Sequence, residues 1–132
     1  MTDLREMTTP ALAYLGDCVL ELCVRRHLVC AGLSKSGDLN RAALDFVRAS
    51  AQAEAMKRIM PMLTEEEEGY FRRGRNMGHS SVPKNATVSD YRTATGMEVL
   101  FGFLHLSERE TRIDELFRAA YPHEFSSNEQ NQ

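Results

Sequence analysis

The segment from Thr9 to Gly32 constrains the fold of this chain more than any other part of the sequence. It begins with a capping hydroxyl on Thr9 followed by Pro10, a favourable helix start, and Gly32 is a natural helix stop. Apolar residues recur between these ends at helical spacing, and few positions in the first half are polar. The segment therefore predicts a first helix that is buried on most sides, partly by a second subunit.

The other apolar patterns predict four more helices and no strand. These helices cover about 38–60 (with Pro61 at or just beyond the end), 65 to near 74, 89–106 and 108–120. Thr64 and Glu67 have the spacing of a capping box before the third helix. Residues 75–88 contain Gly, Ser, Asn and Pro without an apolar period, which indicates one long loop. We expect one all-α domain over residues 1–122 and a polar, disordered tail over 123–132.

Composition excludes several classes of protein. At 132 residues, with 42% hydrophobic and 27% charged residues, the chain has the size and composition of a single globular domain. No apolar run approaches the ~20 residues that span a bilayer, and the N-terminus lacks the order of a signal peptide. Cys18, Cys23 and Cys30 match no zinc or redox spacing. We interpret them as small buried hydrophobes in a reducing compartment, which predicts a cytoplasmic protein with no membrane partner.

Two acidic residues stand in otherwise apolar helical segments. Asp17 lies within residues 11–20 and Glu98 within residues 91–104, where Gly96 and Gly102 would let another helix approach closely. Carboxylates are rarely buried unless they are paired or bound to metal, so packed helices could join the two acids around a hard cation. The structural alternatives are a surface acid at Asp17 and a buried Glu98 paired with an arginine such as Arg92. Spacing alone favours the surface acid for Asp17 and leaves Glu98 undecided.

Basic residues are concentrated in one part of the chain, although the net charge of −3 gives no global support to nucleic-acid binding. An acidic run at residues 65–68 precedes Arg72, Arg73, Arg75, Lys84 and Arg92. This stretch could contact phosphates, or it could be a solvated patch that balances the acidic run, and the spacing does not decide. The sequence has no zinc-spaced His/Cys set, no glycine-rich phosphate loop and no local nucleophile motif.

Four ordered blocks carry a resemblance to a known family. They are Leu-Ala-Tyr-Leu-Gly-Asp at 12–17, Arg-Arg-Gly-Arg-Asn at 72–76, Val-Pro-Lys-Asn at 82–85 and Tyr-Arg-Thr-Ala-Thr-Gly-Met-Glu at 91–98. Together they resemble the catalytic domain of the ribonuclease III family, in its Mini-ribonuclease III branch, which lacks a separate double-stranded-RNA-binding domain. The resemblance covers roughly residues 8 to 120 and implies a helical bundle like the ribonuclease III endonuclease domain. It also implies a homodimer in which the first helices pack across the two-fold axis.

The resemblance implies a catalytic pair. Asp17 matches the aspartate of the family's signature helix and Glu98 the glutamate of its later catalytic helix, so both are implied as catalytic residues and as Mg²⁺ ligands. Because Mg²⁺ takes oxygen ligands and keeps several waters, one or two carboxylates per ion suffice. Larger family members carry further acids where this chain has Pro10, Ala13 and Thr95, which implies a reduced ligand set.

The resemblance also implies the RNA contacts and the activity. The implied RNA-binding residues lie in and beside the long loop: Arg72, Arg73, Arg75, Asn76, His79, Ser80, Ser81, Lys84 and Arg92. The implied function is a Mg²⁺-dependent endoribonuclease that cleaves double-stranded RNA, leaves 5′-phosphates and matures the large-subunit (23S) ribosomal RNA precursor, with a ribosomal protein as a candidate helper. The alternatives are a non-catalytic structured-RNA-binding domain of the same fold and a helical interaction domain that only dimerises.

Overall fold

A computed structural model describes residues 3–78, 84 and 86–125 of the chain. Within these residues the chain forms six α-helices, short 3-10 turns at Leu4–Glu6 and Met60–Met62, and no strand. The helices are α1 (Thr9–Cys30), α2 (Ser36–Val47), α3 (Ala49–Ile59), α4 (Glu65–Arg75), α5 (Val88–Leu106) and α6 (Glu110–Ala120). The predicted all-α class is confirmed. No helix in this part of the chain is long and apolar enough to cross a membrane.

Helix α5 is the centre of the bundle and packs against α1, α3, α4 and α6. Its middle, from Ala94 to Leu104, is buried at every position except Glu98, which is partly buried. A helix enclosed in this way needs apolar side chains around its whole circumference, and Met97, Leu100 and Phe101 are among the fully buried ones. Glu98 is therefore the one acidic side chain in the buried middle of the central helix.

Helix α1 is less enclosed in one protomer than the sequence predicted. One face is buried, but Tyr14, Leu22 and Val29 are exposed at 86%, 55% and 61%. The prediction that the cysteines are buried is wrong for Cys18 and Cys30, which are free and exposed, while Cys23 is half-buried. The cap also lies one residue earlier than predicted, because the Ala11 N–H donates to the Thr8 hydroxyl. Gly32, at a φ of +100°, follows the helix end, as predicted.

The single helix predicted over residues 38–60 is wrong, since the structure divides it into α2 and α3. The break is Arg48, whose backbone is extended with a φ of −61° and a ψ of 144°. No glycine or proline marks this position, and apolar residues continue at helical spacing on both sides, so the pattern does not reveal it. Helix α2 buries only Phe46, whose carbonyl accepts a hydrogen bond from the Tyr121 hydroxyl at 2.9 Å.

Helix α4 is fixed at its start by the predicted capping box. The Thr64 N–H donates to Glu67 Oε1 at 2.9 Å, and the Glu67 N–H donates to the Thr64 hydroxyl at 3.2 Å. Glu67 is only 2% exposed, and Arg112 of α6 donates to both of its carboxylate oxygens at 2.8 Å. The Arg112 hydrogen bond is the main cause that lowers the pKa of Glu67. The start of α4 is thus tied to α6 by a bidentate ion pair.

Helix α6 is followed by one further helical turn, at residues 122–125, that returns to α1. Glu124 Oε2 lies 3.4 Å from His27 Nε2, and the ring centroid of Phe125 lies 4.6 Å from that of His27. Glu124 and Phe125, near the start of the predicted tail, therefore contact α1. Residues 126–132 lie outside the described part of the chain.

Candidate active site and RNA-binding surface

Helices α1 and α5 touch each other backbone to backbone. A Cβ built on Gly16 would lie 1.6 Å from the carbonyl oxygen of Glu98, and one on Gly102 would lie 2.2 Å from the carbonyl oxygen of Leu12. No side chain larger than hydrogen fits at either position, so the two glycines determine how closely the helices approach. Asp17 directly follows Gly16, and Glu98 supplies the backbone that Gly16 contacts. This crossing, the α1–α5 crossing, brings the two acids together.

The carboxyl group of Glu98 lies within hydrogen-bonding reach of the carboxyl group of Asp17. Burial, hydrogen bonding to Asp17 and the charge of Asp17 raise the pKa of Glu98 from 4.5 to about 8, with burial the largest cause. Burial and the neighbouring acid thus favour the protonated form of Glu98. The structure brings together the two acids that the sequence singled out.

Neither structural alternative for the two acids describes this arrangement fully. Asp17 is exposed, as the surface-acid interpretation predicted, yet its carboxyl meets Glu98. Among the ion pairs formed by the described residues, none includes Glu98, so the pairing with Arg92 is not found. The two acids thus face each other without a basic side chain to neutralise them.

This donor set fits a hard divalent cation that keeps part of its water shell. Paired carboxylate oxygens are the ligands that Mg²⁺ prefers, and a cation would offset the burial and the charge of Asp17 that raise the pKa of Glu98. No group of three or more His, Cys, Asp or Glu residues suited to a metal occurs in the described ranges 3–78, 84 and 86–125. Thr95, where larger family members carry an acid, is buried and donates its hydroxyl to the Tyr91 carbonyl at 3.0 Å. Water or substrate oxygens would have to complete the coordination.

A second glycine contact positions the basic residues. A Cβ on Gly74 would lie 2.7 Å from the Cα atom of Gly96, so α4 and α5 also touch closely. Gly74 lies in the last turn of α4, among the arginines at 72, 73 and 75. The end of α4 is therefore held against α5 two residues before Glu98.

The predicted RNA-binding residues fall into different environments. Arg72 is exposed and pairs with Glu68 of the same helix at 2.5 Å, whereas Arg73 donates to Thr9 and to the Met7 carbonyl. Arg75, Asn76 and Arg92 are exposed and line one cavity of about 440 Å³, together with Val88, Ser89 and Thr93. Lys84 is exposed. The predicted contacts at His79, Ser80 and Ser81 lie outside the described residues.

Sequence reasoning missed two features that position the site. It singled out Gly96 and Gly102 for close helix approach but not their partners Gly16 and Gly74. The available signal was a glycine inside each helical pattern, which costs about 1 kcal/mol relative to alanine and indicates a packing constraint. It also missed the contacts of Arg73, because one of its acceptors is a backbone carbonyl that no sequence pattern marks.

Comparisons with known proteins identify the family. The family model described as "Ribonuclease III domain" matches residues 10–109. The chain is 44% identical over 118 residues to "Mini-ribonuclease 3" of Enterococcus faecalis, covering 88% of this chain and 89% of the relative. It is 46% identical over 116 residues to the protein of that name in Brevibacillus brevis, covering 87% of each. The crystal structure of protein FN1578 from Fusobacterium nucleatum superposes with a TM-score of 0.81 at 29% identity, covering 89% of this chain and 96% of the other. The chain therefore belongs to the ribonuclease III family, whose members are endoribonucleases that act on double-stranded RNA.

Proposed function

We propose that Asp17 and Glu98 hold the Mg²⁺ with which this endoribonuclease cleaves double-stranded RNA. One observation carries the proposal: the partly buried Glu98 meets the exposed Asp17 at the α1–α5 crossing, with no basic partner among the described ion pairs. Ionising a partly buried carboxyl beside a second acid is costly, and a site that keeps such a pair is a functional candidate. Enzymes of this family depend on divalent metal ions, which agrees with the donor set.

The chain's own residues have three tasks in this reaction. The α1–α5 crossing holds the two carboxylates at a fixed separation, because the backbones on either side are in contact. Glu98 must give up its proton before the pair can bind a cation; its raised pKa opposes this step, and a higher pH favours it. A bound Mg²⁺ would polarise the scissile phosphate and activate a water molecule. The third task, holding the duplex in place, falls to the basic residues.

The cavity shared by Arg75, Asn76 and Arg92 supports the proposed RNA contact. Both arginines are exposed, and neither forms an ion pair with an acid among the described residues. A-form RNA is recognised mainly through its phosphates and 2′-hydroxyls, which guanidinium and amide groups can bind. Arg72, Lys84, His79, Ser80 and Ser81 remain predicted contacts that would extend this surface.

An exposed apolar stripe on α1 supports a homodimer. Tyr14, Leu22 and Val29 lie on one face of the helix and are more than half exposed, which is costly for side chains of this size. Proteins of this family commonly act as dimers, and a second copy of α1 would cover the stripe. A Leu22→Asp variant is expected to sediment as a monomer at concentrations where the parent sediments as a dimer.

The substrate and setting are proposed from the Mini-ribonuclease III resemblance. We infer that the duplex is a stem of the 23S ribosomal RNA precursor in the cytoplasm, and that a ribosomal protein assists its recognition. Incubation of precursor RNA with Mg²⁺, followed by mapping of the ends, tests this substrate. Cuts that leave 5′-phosphates within a terminal stem are expected, and equal cleavage of any duplex would overturn the assignment.

The catalytic pair is tested by Asp17→Asn and Glu98→Gln. Each variant is expected to lose on the order of 10³-fold in cleavage rate, because several kcal/mol of transition-state stabilisation depend on the metal. Binding of duplex RNA without metal should be retained. Glu54→Gln, on the exposed face of α3, is the matched control and should cleave normally. Full activity of either catalytic variant would refute the proposal.

A further inference from the structure

Arg73 differs from its neighbours because its guanidinium turns into the protein. Its Nε–H donates to the Thr9 hydroxyl at 3.2 Å, and its Nη2 donates to the Met7 carbonyl at 2.9 Å. The same guanidinium lies 5.1 Å from the ring centroid of Tyr70, which stacks on Phe103 of α5 at 3.9 Å. Arg73 therefore joins α4 and α5 to the segment in which α1 begins.

We propose that Arg73 is a positioning residue for the Asp17 carboxylate and does not bind RNA. The proposal rests on the proposed function, in which Asp17 holds the metal. Thr9 precedes Asp17 by about two helical turns, roughly 12 Å along α1. Gly16 and Gly102 set how closely α1 approaches α5, but both contacts lie between Leu12 and Gly16 and do not reach the first turn of α1. Arg73 supplies a second fixed point, at the first turn of α1.

Hydrogen-bond chemistry argues against a phosphate contact at Arg73. Two of its donor groups already bind oxygens of the protein, and the side chain is half-buried. Hydrogen bonds to charged groups contribute about 1.5–3 kcal/mol, so moving Arg73 to a phosphate would give up a comparable amount. Arg75 is exposed and forms no ion pair among the described residues, and Arg72 would give up only an exposed pair with Glu68, which contributes about 0–1 kcal/mol.

The contacts also predict which substitutions reproduce the loss of Arg73. Thr9→Val removes one acceptor while it keeps the shape of the side chain, and it leaves the Met7 carbonyl in place. If Arg73 acts through Thr9, the two substitutions share one interaction and their effects on turnover are not additive. Arg73→Lys can keep one donor toward the Met7 carbonyl, so it should restore part of the activity.

The test separates turnover from binding in Arg73→Met, Thr9→Val, the double variant and Arg73→Lys. Arg73→Met is expected to lower kcat about 10- to 100-fold, since a small displacement of a reacting group has effects of that size. The Kd for duplex RNA in EDTA and its dependence on salt should stay within twofold of the parent. Thr9→Val should show a smaller loss of kcat, and the double variant should resemble Arg73→Met.

Two outcomes would overturn the role of Arg73. A weaker Kd with a flatter salt dependence and an unchanged kcat would make Arg73 an RNA contact. A lower Tm with unchanged kcat and Kd would make it a structural residue only. Asp17→Asn, assayed alongside, reports separately on the proposed function, because its full activity would refute the catalytic pair whatever Arg73→Met does.

Discussion

The α1–α5 crossing and the arginine-lined cavity differ in how the protein holds its functional groups. At the crossing, Gly16 places backbone against backbone and the acids are held where burial raises the pKa of Glu98 to about 8. At the cavity, Arg75 and Arg92 are exposed on long side chains. Catalysis needs carboxylates held at a fixed separation. A duplex instead presents a row of phosphates, which a flexible arginine side chain can contact in several positions. We expect substitutions to act on the fold and rate at the first region and on affinity at the second.

The largest effect on stability is expected from a methyl group placed at the α1–α5 crossing. In Gly16→Ala the new Cβ would lie 1.6 Å from the Glu98 carbonyl oxygen, so α1 and α5 must move apart. We expect the free energy of unfolding to fall by roughly 3 kcal/mol or more, and cleavage to be lost in the protein that still folds. Urea unfolding followed by circular dichroism measures the change.

Gly69→Ala is the matched control for this substitution. Gly69 lies in α4 with a helical backbone, and a Cβ there would meet nothing within 4 Å. The variant should be about 0.5–1 kcal/mol more stable, because alanine loses less backbone freedom in a helix than glycine does. A Gly16→Ala protein as stable as the parent would show that the helices can separate without cost.

The second prediction sharpens the contrast at the arginine cavity. Arg75→Ala with Arg92→Ala should weaken duplex-RNA binding by about 2 kcal/mol, or ~25-fold, at moderate salt. The slope of log Kd against log salt should fall by about one for each arginine removed. The free energy of unfolding should change by less than about 0.5 kcal/mol. Fluorescence anisotropy over a series of KCl concentrations measures the affinity.

Lys57→Ala controls for the loss of positive charge. Lys57 is exposed on α3 and pairs with Glu54, away from the cavity. Its removal lowers the net charge by as much as the loss of one cavity arginine but should leave the salt slope unchanged. If Lys57→Ala weakens binding as much as the loss of one cavity arginine, general charge and not the cavity governs RNA affinity.

The smallest expected effect is a pH-dependent stability that belongs to the crossing alone. The pKa of Glu98 is higher in the folded protein, about 8, than its ordinary value of 4.5, so between these pH values the folded state binds more protons. Stability from Glu98 is therefore present below about pH 4.5 and is lost as the pH rises through about 8. Glu98→Gln, which stays neutral, should be roughly 1 kcal/mol more stable than the parent at pH 8.5 in EDTA, or about 4 °C in Tm.

Thermal unfolding at pH 5 and pH 8.5 tests this prediction. The two proteins should differ little at pH 5, and added Mg²⁺ should raise the Tm of the parent at pH 8.5 but not that of Glu98→Gln. Glu54→Gln, exposed on α3, keeps Glu98 and should therefore lose stability with rising pH as the parent does. A parent protein that gains stability between pH 5 and pH 8.5 relative to Glu98→Gln would contradict the proposed protonation of the pair.

Local patterns in the sequence predicted much of the fold. The capping box of Thr64, the end of α1 near Gly32 and the boundaries of α5 depend on neighbouring residues, so the pattern contains them. The pairing of Asp17 with Glu98 was only one possibility from the pattern, which favoured a surface acid at Asp17, and it was the family resemblance that implied the pair. Metal binding by Asp17 and Glu98 remains a prediction, because neither residue spacing nor the positions of the two carboxyl groups identifies a bound cation.

Features that depend on distant residues could not be predicted. The extended backbone at Arg48 has no glycine or proline to mark it, and the ion pair of Glu67 with Arg112 joins residues of different helices. The exposure of Cys18 and Cys30 depends on which side of α1 the rest of the chain covers. These properties follow from packing, which a single helical pattern does not define.

The break at Arg48 separates α2 from the rest of the fold energetically as well as geometrically. Helix α2 buries only Phe46, whereas α3 buries five side chains and α5 ten residues. Regions with few buried apolar groups open with lower free energy than the core does. The amide protons of α2 should therefore exchange with deuterium earlier than those of α3, although the two helices are separated by one residue. We therefore expect α2 to be a local unfolding unit that opens while the α1–α5 crossing stays closed.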